Sequence, residues 1–192
     1  MRGGGNAPST PMRRPGRKAA LTEPETGDPN HSYAYAVALL ARRDYSTREL
    51  RSKLKERGYL EHAIEPVLID LEETRKLDDA RYGASVVASR SRRALGPARI
   101  RQELQRKGVT SETIDQALAG GDGEEAPDFI QLAHQARVRK FGPELPTDWK
   151  ERARQARFLQ YRGFSNDHIR AVLDGDPELD SDPNAGSEPD QS

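Results

Sequence analysis

The chain contains no cysteine, which excludes disulfides, thiolate catalysis and any zinc or iron–sulfur site built on thiolates. Long apolar runs are also missing. The longest, Tyr33 to Ala41, is nine residues and far too short to span a bilayer. The N-terminus carries arginines without the apolar stretch of a secretory signal, so a cytoplasmic location is expected. No segment alternates apolar and polar residues over a strand length, which leaves an all-α fold. Hydrophobic residues make up only 34% of the chain against 32% charged, so several small cores are expected rather than one large one.

Both ends are poor in material for a core. Residues 1–30 hold five prolines and almost no large apolar side chain, and residues 174–192 hold seven acidic residues and no basic one. Neither can bury enough apolar surface to offset the entropy of ordering it, so both are expected to be disordered tails. The net charge of zero averages unlike parts: +2 over residues 1–30, +5 over 31–173 and −7 over the acidic tail.

Between the tails the chain repeats itself. With Gly58, Gly108 and Gly163 in one column, a cation precedes each (Arg57, Lys107, Arg162) and an apolar residue follows (Tyr59, Val109, Phe164). Four positions earlier stand Leu54, Leu104 and Leu159; six later, Ile64, Ile114 and Ile169; ten later, Leu68, Leu118 and Leu173. Leu50 aligns with Ile100, whereas the third repeat has Gln155 there. Self-similarity at offsets of 50 and 55 residues is the mark of a repeat architecture.

Each repeat reads as three short helices. Ser46 is placed to cap a helix, with Glu49 completing a capping box and Tyr45 with Leu50 forming a hydrophobic staple. Gly96 and Pro97 open the corresponding helix of the second repeat, stapled by Leu95 and Ile100. The column glycines sit where those helices must end in a left-handed residue. Thr110 and Ser165 cap later helices, and Asp78 caps the helix that opens the second repeat. Pro66 deletes one backbone hydrogen bond inside the first repeat's third helix and is expected to kink it. The expected boundaries are repeats at 31–76, 77–119 and 128–173, with a flexible glycine-acid linker at 120–127 and a tail from 174 to 192.

Catalytic constellations are absent. No phosphate-binding glycine loop occurs. His31, His62, His134 and His168 never share the i, i+4 spacing of a metal-binding helix, so surface or packing roles are expected. Asp78 and Asp79 could form a carboxylate pair, but capping explains Asp78 without chemistry. Trp149 and the tyrosines read as packing residues rather than base-stacking platforms. No enzyme and no cofactor are expected.

Arginine outnumbers lysine 24 to 7. Arginine's planar fork suits carboxylate and phosphate and tolerates partial desolvation. Arg81, Arg90, Arg92, Arg93, Arg99, Arg101, Arg106 and Lys107 fall in a 27-residue window whose only acid is Glu103. None of Arg90, Arg92 and Arg93 falls in an apolar column. With so few acids nearby, the cluster reads as a partner-binding face in preference to an ordinary solvated one.

Taken together these segments resemble the RecX family of regulators of the RecA recombinase. The residues that carry the resemblance are Leu40-Ala41-Arg42-Arg43-Asp44-Tyr45-Ser46, Glu49-Leu50, Leu54 and Arg57-Gly58-Tyr59. Leu77-Asp78-Asp79-Ala80-Arg81-Tyr82, Gly96-Pro97, Ile100-Arg101-Gln102-Glu103-Leu104 and Lys107-Gly108-Val109 add to them. The resemblance implies three tandem three-helix repeats in an elongated, curved molecule. It further implies a monomeric, non-enzymatic partner of RecA and of the RecA–single-stranded DNA filament, which limits filament growth or stability. Recombination, DNA repair and the SOS coprotease activity of RecA would be modulated. The proline-rich N-terminus and acidic C-terminus stand outside the family pattern. The alternative is a helix-turn-helix protein that binds duplex DNA directly; against it, residues 61–73, 111–119 and 166–173 carry few basic side chains.

Overall fold

The computed structural model describes residues 21–121 and 125–174, which form helices and no strand. A single turn, α1 (Glu23–Thr26), precedes three units of three helices. The first unit is α2 (Pro29–Leu40), α3 (Thr47–Arg57) and α4 (Glu61–Glu73). The second is α5 (Asp79–Ser91), α6 (Pro97–Arg106) and α7 (Ser111–Leu118), and the third α8 (Phe129–Phe141), α9 (Trp149–Tyr161) and α10 (Asn166–Asp174). Helix packs on helix within each unit: α2 and α3 on α4, α5 and α6 on α7, α8 and α9 on α10. The result is a row of three small bundles.

The caps explain where helices start. Ser46 Oγ accepts the Glu49 N–H, Asp78 the N–H groups of Ala80 and Arg81, and Thr110 that of Thr113. Each cap is worth about 1 kcal/mol. At the other ends Gly58, Gly108 and Gly163 are left-handed, with φ of +109°, +82° and +92°. Only half of the capping box at Ser46 forms. The Glu49 carboxylate turns to Lys107, 2.6 Å away, instead of returning to the cap backbone. An ion pair with another repeat takes the place of the local bond to the cap backbone.

The aligned columns are the cores. Leu54, Leu104 and Leu159 are each fully buried, one per bundle, and Tyr59, Val109 and Phe164 cover them. Burying one such leucine stabilises by roughly 1.5–3 kcal/mol. Gln155 occupies its apolar column and is buried, with Nε2 donating to Glu151 at 3.1 Å. Arg137 is also buried; its guanidinium donates to the carbonyls of Pro143 and Glu144 at 2.8 Å and pins the long loop of the third repeat.

Order begins earlier than expected. Composition places residues 21–30 in the N-terminal tail, yet α1 is closed by a Thr22–Glu25 capping box. The Leu60 N–H donates to the Thr26 carbonyl at 2.9 Å, and Leu21 packs on the first core. One leucine and one tertiary backbone bond anchor a segment that composition alone assigns to the solvent. The expectations for residues 1–20, 122–124 and 175–192 lie outside the described residues. Pro66 is exposed, and α4 runs through it to Glu73.

Candidate functional site

The repeats are joined end to end through their middle helices. At the first joint the C-terminal end of α6 meets the N-terminal end of α3. Ser46 Oγ donates to the Lys107 carbonyl at 2.6 Å, and Thr47 N–H donates to Asp79 at 2.8 Å. At the second joint the C-terminal end of α9 meets the N-terminal end of α6. Gly96 N–H donates to the Arg162 carbonyl at 2.9 Å and Ala98 N–H to the Gly163 carbonyl at 3.1 Å. Ser46 and Gly96 are equivalent in the repeat, as are Lys107 and Arg162, so one joint is built twice. Orphan carbonyls of one helix satisfy the cap of the next, and the negative end of one dipole faces the positive end of another.

The column glycines serve this contact as well as the helix ends. A Cβ on Gly163 would stand 2.5 Å from the Arg99 Cβ, and one on Gly96 would collide with the Gly163 carbonyl. The Arg162 guanidinium donates to the Arg93 and Ala94 carbonyls at 3.0 Å. Ala94 itself is buried in the third core, and Phe129 packs on both the second and third cores. The third repeat is therefore docked on the second, whatever the composition of the linker.

These joints redistribute the eight predicted cations. Arg90 forms a two-pronged pair with Glu103 at 2.8 and 2.6 Å, with both side chains about three-quarters buried. Lys107 pairs with Glu49, Arg101 with Asp115, and Arg81 lies 3.8 Å from Asp44 while donating to the carbonyls of Arg75 and Lys76. Arg106 donates to Gln102 on its own helix. Arg92, Arg93 and Arg99 are exposed and have no carboxylate partner among the described residues. The scarcity of acids read from the window is thus corrected. Asp44, Glu49 and Asp115 lie outside it in sequence and are folded against it. Arg90 likewise has a structural partner in Glu103, the one acid inside the window.

The electrostatics follow the same pairs. Arg90, hydrogen-bonded to Glu103, holds its carboxyl below the ordinary value despite burial. Burial acts to raise Glu49, but Lys107 and Arg43 outweigh it and the net shift is downward. Asp79 moves the other way, raised by burial against the bond from Thr47. Burial, with the Glu49 carboxylate nearby, pushes the Tyr82 phenol up. The histidines do local work: His31 Nδ1 lies 3.1 Å from the Tyr59 hydroxyl, and Ser165 N–H donates to His168 Nδ1. Among the described residues no group of three or more His, Asp or Glu side chains could hold a metal ion. No helix there is long and apolar enough to cross a membrane.

Two aromatics depart from the packing role expected of them. Trp149 is 80% exposed and Tyr161 is 76% exposed. Trp149 edges an apolar groove of about 420 Å³ between α9 and α10, whose rim cations Arg152 and Arg170 pair with Asp174 and Asp167. Tyr161 stands at the second joint, with the Arg99 guanidinium 5.2 Å from its ring centre. The helical period assigns both to α9 without saying how much of each ring its neighbours leave uncovered.

Fold and site together define a class: a tandem array of three-helix units whose distinguishing features are its joints and its arginine-bearing surface. Three family models match it in succession: the first three-helix domain of RecX over residues 33–71, the second over 78–118 and the third over 127–173. The chain belongs to the RecX family. It is 42% identical over 137 residues to the regulatory protein RecX of Halorhodospira halophila, covering 71% of this chain and 83% of the relative. It is also 42% identical over 140 residues to that of Ectopseudomonas mendocina, covering 73% and 91%. A crystal structure of a regulatory protein RecX superposes with a TM-score of 0.65 at 26% identity, over 77% of this chain and 72% of that one. RecX from Lactobacillus salivarius shares the fold with a TM-score of 0.65 at 19% identity, over 80% and 97%. The family is one of regulatory proteins.

Proposed function

We propose that this protein is a non-enzymatic regulator of a RecA recombinase. It binds along the RecA–single-stranded DNA filament in the cytoplasm, as a monomer, and limits the growth or stability of that filament. Recombination, DNA repair and SOS coprotease activity are modulated in consequence. The observation that carries this reading is the duplicated joint. A partner that repeats along an axis is best matched by a surface that repeats too, and α3, α6 and α9 are set in series by equivalent contacts. Arg92, Arg93 and Arg99 supply unpaired positive charge on that surface, suited to phosphate or carboxylate.

The helix-turn-helix alternative is less well supported. The outward faces of α4, α7 and α10 present Glu61, Glu65, Asp70, Glu112, Asp115 and Asp167, four of them already paired with Arg51, Lys55, Arg101 or Arg170, and so offer a duplex backbone little free positive charge.

The test is co-sedimentation with preformed RecA–DNA filaments, together with their ATP turnover, for the wild type and for R92E/R93E. The double variant should fold normally and lose most of its effect on turnover, with a weaker dependence on salt. Wild-type behaviour from R92E/R93E would remove these arginines from the interface. A wild-type protein that ignores filaments yet prefers one duplex sequence would establish the alternative. R90E is unsuitable for this test, because it places two carboxylates together at Glu103.

A further inference from the structure

The second joint opens into a cleft of about 650 Å³ between the start of α6 and the end of α9. Arg99, Arg101, Gln102, Gln105, Gln160 and Tyr161 line it, and no carboxylate does. Another cleft, of about 440 Å³, lies beside the first joint between α5, α6 and the start of α3, and there Glu49 pairs with Arg43 and Lys107, and Glu103 with Arg90. One cleft is closed electrostatically by the protein itself, and the other is left open.

Its groups fall into three kinds that one ligand chemistry needs together. Tyr161 offers an aromatic face at 76% exposure. Three neutral amides, Gln102, Gln105 and Gln160, can each donate and accept, as the edge of a nucleobase requires. Arg99 spends one donor on the Tyr161 carbonyl at 3.2 Å and keeps the rest of its fork. Arg157, exposed and one turn before Tyr161 on α9, adds a second cation without a carboxylate partner among the described residues. The start of α6 is not itself the anion site, since the Gly96 and Ala98 N–H groups are taken by the third repeat.

We propose that this cleft binds single-stranded nucleic acid, with one unstacked base lying on Tyr161, its edge toward the glutamines and its flanking phosphates on Arg99 and Arg157. An exposed aromatic beside unpaired arginines is how sequence-tolerant single-strand binders combine stacking with backbone charge. An acidic peptide would have use for the arginines but none for the amides and the ring together. The proposal deepens the filament reading and rests on it only for where the strand is met.

The experiment uses the full chain and fluorescence anisotropy with labelled oligo(dT), an abasic strand of equal length, the matching duplex and polyglutamate. The wild type should prefer oligo(dT) to each of the others. Y161A should weaken oligo(dT) binding about 5-fold or more, and Y161W should restore it. R157Q should lower the salt slope by about one while the preference for dT over the abasic strand persists. Equal binding of oligo(dT) and the abasic strand, an unchanged Y161A, or polyglutamate binding as tight as oligo(dT) would each overturn the site. Preformed RecA filaments form a separate arm. A wild type that engages filaments but fails the base and Tyr161 criteria loses the stacking site and keeps the proposed function. One that meets those criteria and leaves filaments untouched loses the function and keeps the site.

Discussion

The Ser46 hydroxyl accepts the Glu49 N–H and donates to the Lys107 carbonyl at 2.6 Å, so one oxygen both caps α3 and closes the first joint. Thr110 makes a comparable cap on α7, but among the described residues its hydroxyl bonds otherwise only to Thr113 within the same turn. The two positions therefore separate a cap from a cap that is also a joint. Thr110→Ala should cost about 1 kcal/mol. Ser46→Ala should cost about 2–3 kcal/mol, the further loss coming from a half-buried Lys107 carbonyl left without its donor. Denaturant unfolding of the two variants measures the difference. Equal losses would mean that the joint bond contributes nothing to stability.

The paired carboxylates give acid sensitivity a definite sign. Glu103 sits below its ordinary value of 4.5 because of its bonds to Arg90, and Glu49 is lowered as well. A carboxyl depressed in the folded state binds protons more readily when unfolded. Its stabilisation is thus full above the ordinary value and is lost as pH falls through the folded one. Asp79, raised by burial from 3.8, opposes this trend because its protonation favours the folded state. Glu103→Gln should lower Tm by about 2–4 °C at neutral pH. The deficit should shrink as pH drops below about 4.5, since the wild type is then losing the same interaction. Melting curves across that range decide it, and a deficit that stays constant into strong acid would contradict the assignment.

A row of bundles has a measurable size. A compact domain of the roughly 140 residues in the repeats would have a radius of gyration of about 14–15 Å. Three bundles of roughly 20 Å each, joined end to end, should give about 18 Å or more. Small-angle scattering on residues 21–174 distinguishes the two, and a value near 14 Å would exclude the serial arrangement.

Much of the fold was legible because its causes are local. A cap reaches two or three residues, a staple five, and a helical stripe about ten, so Ser46, Asp78, Thr110 and the buried leucine columns could be placed from spacing alone. The three left-handed glycines were equally legible, since their conformation answers to the helix each one ends. Even Gln155 could be assigned to its column from the alignment, although not its burial or its bond to Glu151.

The site was less legible, and the reason is distance along the chain. Counting charge between Arg81 and Lys107 finds one acid, whereas folding brings Asp44, Glu49 and Asp115 against those cations from outside the window. Helical periodicity says which residues share a face but not what lies across from it, so it reads Trp149 and Tyr161 as packed although each stands largely exposed. By itself the sequence determined the helices, their ends, the threefold repeat and the family resemblance, because each rests on neighbours or on internal similarity. Tertiary structure alone decided which arginines remain unpaired and how Gly96 and Gly163 dock the second repeat on the third. Those outcomes depend on groups 13 to 69 residues apart, backbone as well as side chain, finding each other at hydrogen-bonding distance.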